Sequence, residues 1–322
     1  MQIVNNTKIN GKFKGQDIIS LDQFSQKDIK TVLTLAKKLK PLRVSGKPSK
    51  ILAGKIVTLL FYEPSSRTFS SFSSAVQQLG AGAIAIQDAK TVSSVAKGET
   101  LSDTINTFES YSDVIVMRHP QNGSAQEAAA AALIPVINAG DGTNEHPTQT
   151  LLDLYTIYEN TGKLEGLTGL LAGDMINGRT VKSLIRGLSL FKNNTLYLLS
   201  PEKLKLTRDE FKSLSTQGVK LVEITSENEI PKHADFWYWT RVQKERFASE
   251  KDYEAVKNKF ILTVNLIEKY AGKKTIFMHP LPRVGEIATE VDKNPKSVYL
   301  KTQMRNGVYV RMALLALVLG KS

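Results

Sequence analysis

The chain has 322 residues, 41% hydrophobic and 23% charged, which fits a soluble globular protein and excludes a low-complexity or fibrous one; its length suits two domains of about 150 residues each. The absence of cysteine excludes disulfides and thiolate metal sites. The net charge of +12 raises nucleic acid as a partner, but the lysines of stretches such as 27–50 and 251–259 are mixed with acids and lack interleaved aromatics, so a solvated basic surface that concentrates anionic substrates is the better reading. No stretch approaches about 18 uninterrupted apolar residues and the first 15 residues hold no signal-like core, so a cytoplasmic protein with neither membrane nor nucleic acid as partner is expected.

Phe24, Ile29, Val32, Leu33, Leu35, Ala36 and Leu39 predict an amphipathic helix over 22–40 with Ser25 as its cap, and the polar residues 41–53 read as a loop. Residues 56–62 have the length and β-branched content of a buried parallel strand. Pro64 ends it, and from Arg67 onward Phe69, Phe72, Val76 and Leu79 fall at helical spacing. A strand over 83–87, a polar loop over 88–97, a helix over 99–111, a strand over 114–117, a helix over 125–133 and a strand over 135–138 follow. This alternation implies a parallel sheet with helices on both faces. A helix over 146–159 leaves the first domain, and 160–169 is the most linker-like stretch.

The second half repeats the architecture without repeating the sequence. Strands are expected at 170–171, 195–199, 220–224, 236–239 and 275–278, and helices over 180–191, 208–215, 253–259 and 264–270. An apolar run within 307–320 is long enough for a final helix, expected to pack back on the first domain. The fold class is therefore α/β, with two doubly wound parallel-sheet domains: 1–149 joined by 305–322, and 150–304.

The junction Glu63-Pro64-Ser65-Ser66-Arg67-Thr68 is suited to an anion, because free N–H groups and the positive end of the helix dipole meet hydroxyls and a guanidinium there. Ser65 or Ser66 could equally serve as a plain cap, but an Arg in the first turn argues for something negative beside it. This segment resembles the carbamoyl-phosphate loop of the aspartate and ornithine carbamoyltransferases, usually Ser-Thr-Arg-Thr, and the resemblance recurs along nearly the whole chain. It implies that Ser65, Ser66, Arg67 and Thr68 hold carbamoyl phosphate in a cleft between the two domains. Two positions depart from the pattern: Ser66 stands where Thr is usual, and Phe69 where many members carry a second Arg.

Other motifs carry bland readings alone and specific ones by the same resemblance. Met117-Arg118-His119-Pro120, just past a strand, reads either as a surface turn or as an oxyanion site; the resemblance puts Arg118 on the phosphate and carbonyl oxygen of carbamoyl phosphate. His146-Pro147-Thr148-Gln149 opens a helix, where a lone His is often structural. It resembles the aspartate enzymes, the ornithine enzymes having Cys in the third position, and implies that His146 polarises the carbonyl while Gln149 holds the carbamoyl amine. The polar loop with Ser93 and Lys97 is similar to a swinging loop that reaches a neighbouring subunit's site, which implies a homotrimer. Lys97 is expected to contact both substrates.

Gly173 to Thr180 does not fit a dinucleotide loop, and by its likeness Arg179 binds the α-carboxylate of aspartate. Residues 239–246 alone suggest a charged turn; their likeness places Arg241 and Gln243 on the side-chain carboxylate. His279-Pro280-Leu281-Pro282 is the aspartate-type turn, whose Pro280 and Leu281 carbonyls take amino groups and whose bond before Pro282 is a cis candidate. Glu63 and Arg246 match a pair that latches the domains in the closed state. The implied activity is carbamoyl transfer to L-aspartate in pyrimidine biosynthesis, with ornithine or another amino acid as the alternative acceptor, and with no metal or organic cofactor. A separate regulatory chain is left open.

Overall fold

The structure is a computed structural model that describes residues 7–45, 49–92, 94–216, 218–244, 247, 249–257 and 259–321. The chain divides into two units, Met1–Leu152 with Arg305–Ser322, and Asp153–Met304. It passes from one to the other within helices α6 (Pro147–Thr161) and α11 (Thr302–Val318).

In the first unit, strands β1 (Ile56–Phe61), β2 (Gly82–Gln87), β3 (Val114–His119) and β4 (Val136–Asp141) form a parallel sheet in the order β2-β1-β3-β4. The apolar run of β1 is buried from Val57 to Phe61, as a strand covered on both faces requires. Helix α1 (Gln26–Ser45) precedes the sheet; α2 (Ser66–Leu79), α3 (Ala89–Val92), α4 (Leu101–Glu109) and α5 (Ser124–Ala131) follow the first three strands. Helix α2 buries Phe72, Ala75, Val76 and Leu79 and ends on Gly80 at φ 76°, where a Cβ would come within 2.1 Å of the Ser49 carbonyl oxygen. Only glycine fits that stop. The C-terminal part of α11, Val310 to Val318, is buried in the same unit.

In the second unit, β5 (Thr168–Ala172), β6 (Thr195–Leu199), β7 (Lys220–Ile224), β8 (Phe236–Trp239) and β9 (Ile276–Met278) form a parallel sheet in the order β7-β6-β5-β8-β9. Helices α7 (Arg179–Ser189), α8 (Arg208–Ser215), α9 (Glu250–Glu254) and α10 (Val264–Tyr270) complete it. Its core gathers Leu170, Ala172, Leu199, Trp237, Trp239, Phe277 and Tyr299. Gly169 on β5 is packed so closely that a Cβ would lie 2.3 Å from the Phe236 ring. Among the described residues no helix is long and apolar enough to cross a membrane.

Three expectations are corrected. Helix α1 continues through Pro41 to Ser45 rather than ending at 40, because Pro41 lies on the exposed side of its last turns, where a missing backbone bond costs least. The expected loop over 88–97 contains α3 and a 3₁₀ turn, Ser94–Lys97; Asp88, at φ 58°, accepts the Thr91 N–H at its carbonyl and the Thr91 hydroxyl at its carboxylate, winding the polar chain into a helical turn. The helix expected over 253–259 is Glu250–Glu254, because Ser249 caps it through the Asp252 N–H and starts it early.

Candidate active site

The order of the first sheet reverses between β1 and β3, and ligands of open α/β sheets collect beyond the strand ends at such a point. Phe61 is registered against Arg118, so the chain leaving β1 toward α2 meets the end of β3. Ser65 occupies the N-cap of α2, but its side chain makes no cap hydrogen bond. The first turn therefore offers backbone N–H groups together with the half-buried Ser65, exposed Ser66 and Arg67, and buried Thr68. Arg118 is 13% exposed at its side chain; Nη2 pairs with Glu63 at 2.5 Å, Nη1 reaches the Ala139 carbonyl at 3.5 Å, and buried Nε has no hydrogen-bond partner among the described residues. Glu63 thus stands beside Arg118, while Arg246, its expected companion, lies outside the described residues, as does Ser93. Lys97 is exposed at the end of the 3₁₀ turn.

His146 is 4% exposed at the start of α6, its Nε2 3.4 Å from Thr68 Oγ1 and its Nδ1 3.4 Å from Thr148 Oγ1. The preceding loop is held by buried carboxylates. Asp141 accepts from the side chains of Asn138 and Asn144 and from the backbone of Gly123 and Glu145, and Glu145 accepts from Ser20 and the Leu21 N–H. Gln149 follows half-buried in the first turn.

The second sheet reverses between β5 and β8, where Ala172 is registered against Trp239. Gly173, at φ 116°, brings its backbone against Thr240, where a Cβ would sit 2.2 Å from the Thr240 carbonyl oxygen. Buried Asp174 accepts from the backbone and side-chain nitrogens of Asn177, at 3.0 to 3.2 Å, and from the Gln243 N–H at 3.5 Å. Burial pushes its carboxyl above the usual aspartate pKa, against the downward pull of those bonds. The Gln243 side chain donates to the Asn177 carbonyl at 2.8 Å, so the segment after β8 is tied to the turn that delivers Arg179. Arg179 and Arg241 are both half-buried there.

On the next strand, β9, the His279 turn contains a cis Leu281–Pro282 bond and Leu281 at φ 58°. His279 accepts the Leu281 N–H at Nδ1 (2.7 Å) and donates from Nε2 to Glu286 (2.7 Å), leaving Pro280 and Leu281 half-buried. Burial raises the Glu286 pKa, but the hydrogen bond from His279 and the other contacts hold it below the usual value. Sequence reasoning named residues expected to meet ligands and did not single out the buried groups packed around them: Asp141, Asp174, Thr148 and Arg311. Only Arg311, a lone charge within the apolar run of the last helix, carried a visible signal.

Two parallel sheets, each with cationic and hydroxyl groups at its reversal, make an α/β transferase-like plan, and the chain belongs to the aspartate/ornithine carbamoyltransferase family. The family's carbamoyl-P binding domain matches residues 16–159 and its Asp/Orn binding domain residues 165–318. Within the family the chain is similar to the aspartate carbamoyltransferase catalytic subunit of Thermococcus kodakarensis, 50% identical over 311 residues, 96% of this chain and 98% of the relative. It is also similar to aspartate transcarbamoylase from Trypanosoma cruzi. The structure of that enzyme with carbamoyl phosphate superposes with a TM-score of 0.87 at 41% identity over 95% of this chain and 97% of the other. Its structure with N-(phosphonacetyl)-L-aspartic acid gives 0.85 at 38%, over 99% and 100%.

Proposed function

We propose that this protein is an aspartate carbamoyltransferase, which moves the carbamoyl group of carbamoyl phosphate to the amine of L-aspartate and releases phosphate, a step of pyrimidine biosynthesis. The observation that carries the reading is the contact between Thr68 and His146, which joins the first turn of α2 to the start of α6 in the unit whose sheet reverses between β1 and the Arg118-bearing strand β3. Ser65, Ser66, Arg67 and Thr68 hold the phosphate, with Ser93 and Lys97 supplied by a neighbouring subunit of a trimer. Arg118, His146 and Thr68 stabilise the oxyanion as the amine attacks the carbonyl carbon, and Gln149 orients the carbamoyl amine. The carbon–nitrogen bond forms, the bond to the phosphate oxygen breaks, and the amine proton leaves with the phosphate. Arg179 takes the α-carboxylate, Arg241 and Gln243 the side-chain carboxylate, and the Pro280 and Leu281 carbonyls the amino groups. Glu63 must release Arg118 as carbamoyl phosphate arrives, and is then available to Arg246. A cytoplasmic setting fits this chemistry.

Calorimetry with a phosphonate joined to aspartate, together with turnover assays offering aspartate or ornithine, tests the reading. Tight binding of the mimic and product from aspartate alone are expected. Product from ornithine, or no binding of the mimic, overturns it.

A further inference from the structure

Arg311 is 3% exposed, in a stretch of α11 where every residue from Met312 to Val318 is apolar and buried. Its guanidinium lies 5.1 Å from the centre of the Phe72 ring, and it spans two elements of the first unit. Nη1 donates to Ser71 Oγ on α2 at 2.9 Å, and Nη2 to Thr148 Oγ1 on α6 at 3.2 Å. A guanidinium has donors and no acceptor, so the Thr148 oxygen must accept from it. The other side-chain neighbour of Thr148 Oγ1 among the described residues is His146 Nδ1 at 3.4 Å, and the single hydroxyl hydrogen is left for that nitrogen. A neutral imidazole that accepts at Nδ1 carries its own hydrogen on Nε2, the nitrogen facing Thr68 in the first turn of α2.

We propose that Arg311 and Thr148 form a positioning relay that holds His146 in the Nε2–H tautomer, so that it meets the carbamoyl carbonyl as a hydrogen-bond donor. The proposal rests on the reading of His146 given above. Neither Arg311 nor Thr148 need touch a substrate. Without the relay Nδ1 loses the hydrogen that Thr148 gives it, and the wrong tautomer turns a lone pair toward the developing oxyanion. A cysteine at position 148, the residue of the ornithine-type motif, would still have one hydrogen to give, whereas valine has none.

The test is long-range proton–nitrogen NMR on ¹⁵N-histidine-labelled protein, with the His146 signals assigned from a His146→Gln spectrum. The intact chain should show hydrogen on Nε2, Thr148→Val a mixture of tautomers, and Thr148→Ser the original form. In Thr148→Val kcat should fall on the order of tenfold to a hundredfold with the KM for aspartate little changed, and Thr148→Ser should recover most of it. Arg311→Met, checked for folding by circular dichroism, should show the same mixture, and Thr148→Val decides the matter if that chain does not fold. Hydrogen on Nδ1 in the intact protein, or an unchanged Nε2–H tautomer in Thr148→Val, overturns the relay. A shifted tautomer with undiminished kcat leaves the relay standing and removes His146 from the carbonyl.

Discussion

Arg67 and Arg118 carry the same charge in opposite circumstances. Arg67 is exposed on the first turn of α2, whereas Arg118 is nearly enclosed and engaged by Glu63. Removing Arg67 should therefore spare stability and strike chemistry. Arg67→Ala is expected to lose at least about a hundredfold in kcat/KM while its urea midpoint stays within about 0.5 kcal/mol of the parent; near-parental turnover would defeat the site assignment. Glu63 competes with the ligand for Arg118. Because both side chains are partly hydrated, the competition is worth about 1 kcal/mol at most, so Glu63→Gln should bind inorganic phosphate up to about fivefold more tightly by calorimetry. Equal affinity would show that the pair does not oppose binding. Arg67 stood out because the start of a helix disfavours a cation, whereas Arg118 and His146 were marked only by the likeness of their motifs to the family's. The pairing of Glu63 with Arg118, and of Thr148 with Arg311, could not be picked out, since it depends on side chains brought together from separate elements.

Strands and turns set how closely the backbone is drawn together at the reversal of the second sheet. The β5 and β8 backbones meet at Gly173 with no room for a side chain, and the φ of 116° is itself closed to other residues. Gly173→Ala should cost about 2 kcal/mol or more and weaken aspartate binding along with stability; a chain as stable as the parent by urea titration would contradict the packing. The His279 turn is pinned further along by Arg283, whose two terminal nitrogens meet the Asp292 carboxylate at 2.5 and 3.0 Å, with the Tyr299 hydroxyl at 2.5 Å. The Arg283 hydrogen bond, opposed by partial burial, holds Asp292 below its usual 3.8. A carboxylate lowered on folding stabilises above its unfolded pKa and loses that contribution as pH falls through the folded one. Below pH 3.8 the parent should therefore lose stability more steeply than Asp292→Asn, which at neutral pH should already be weaker by about 1–2 kcal/mol. Parallel urea curves for the two proteins in acid would refute this. Apolar runs such as 56–61 and 236–239 announced their strands directly, because a strand buried on both faces has no other composition to use. The helix edges at Pro41, Asp88 and Ser249 were less legible, since single capping hydrogen bonds and solvent exposure decide them.

For the assembled molecule, the proposed sharing of Lys97 between subunits makes a clear demand. Lys97→Ala and Arg67→Ala chains, each inactive, should regain part of the parental activity when dissociated, mixed and reassociated, because some sites then receive neither defect. No recovery would mean that each chain works with its own lysine. The two-sheet plan was legible from the alternation of apolar runs and helical spacing, and the expected bounds after 149 and 304 fall close to the crossings between units, after Leu152 and Met304, inside α6 and α11. Those crossings set a schedule for synthesis. The second unit is one uninterrupted segment, whole in the chain once Met304 has been added. The first unit, although it begins earlier, lacks part of its interior until Arg305–Ser322 is made and Val310 to Val318 can fill it. A released chain truncated after Met304 should thus present a protease-resistant second half and a labile first half, so that what is translated first matures last.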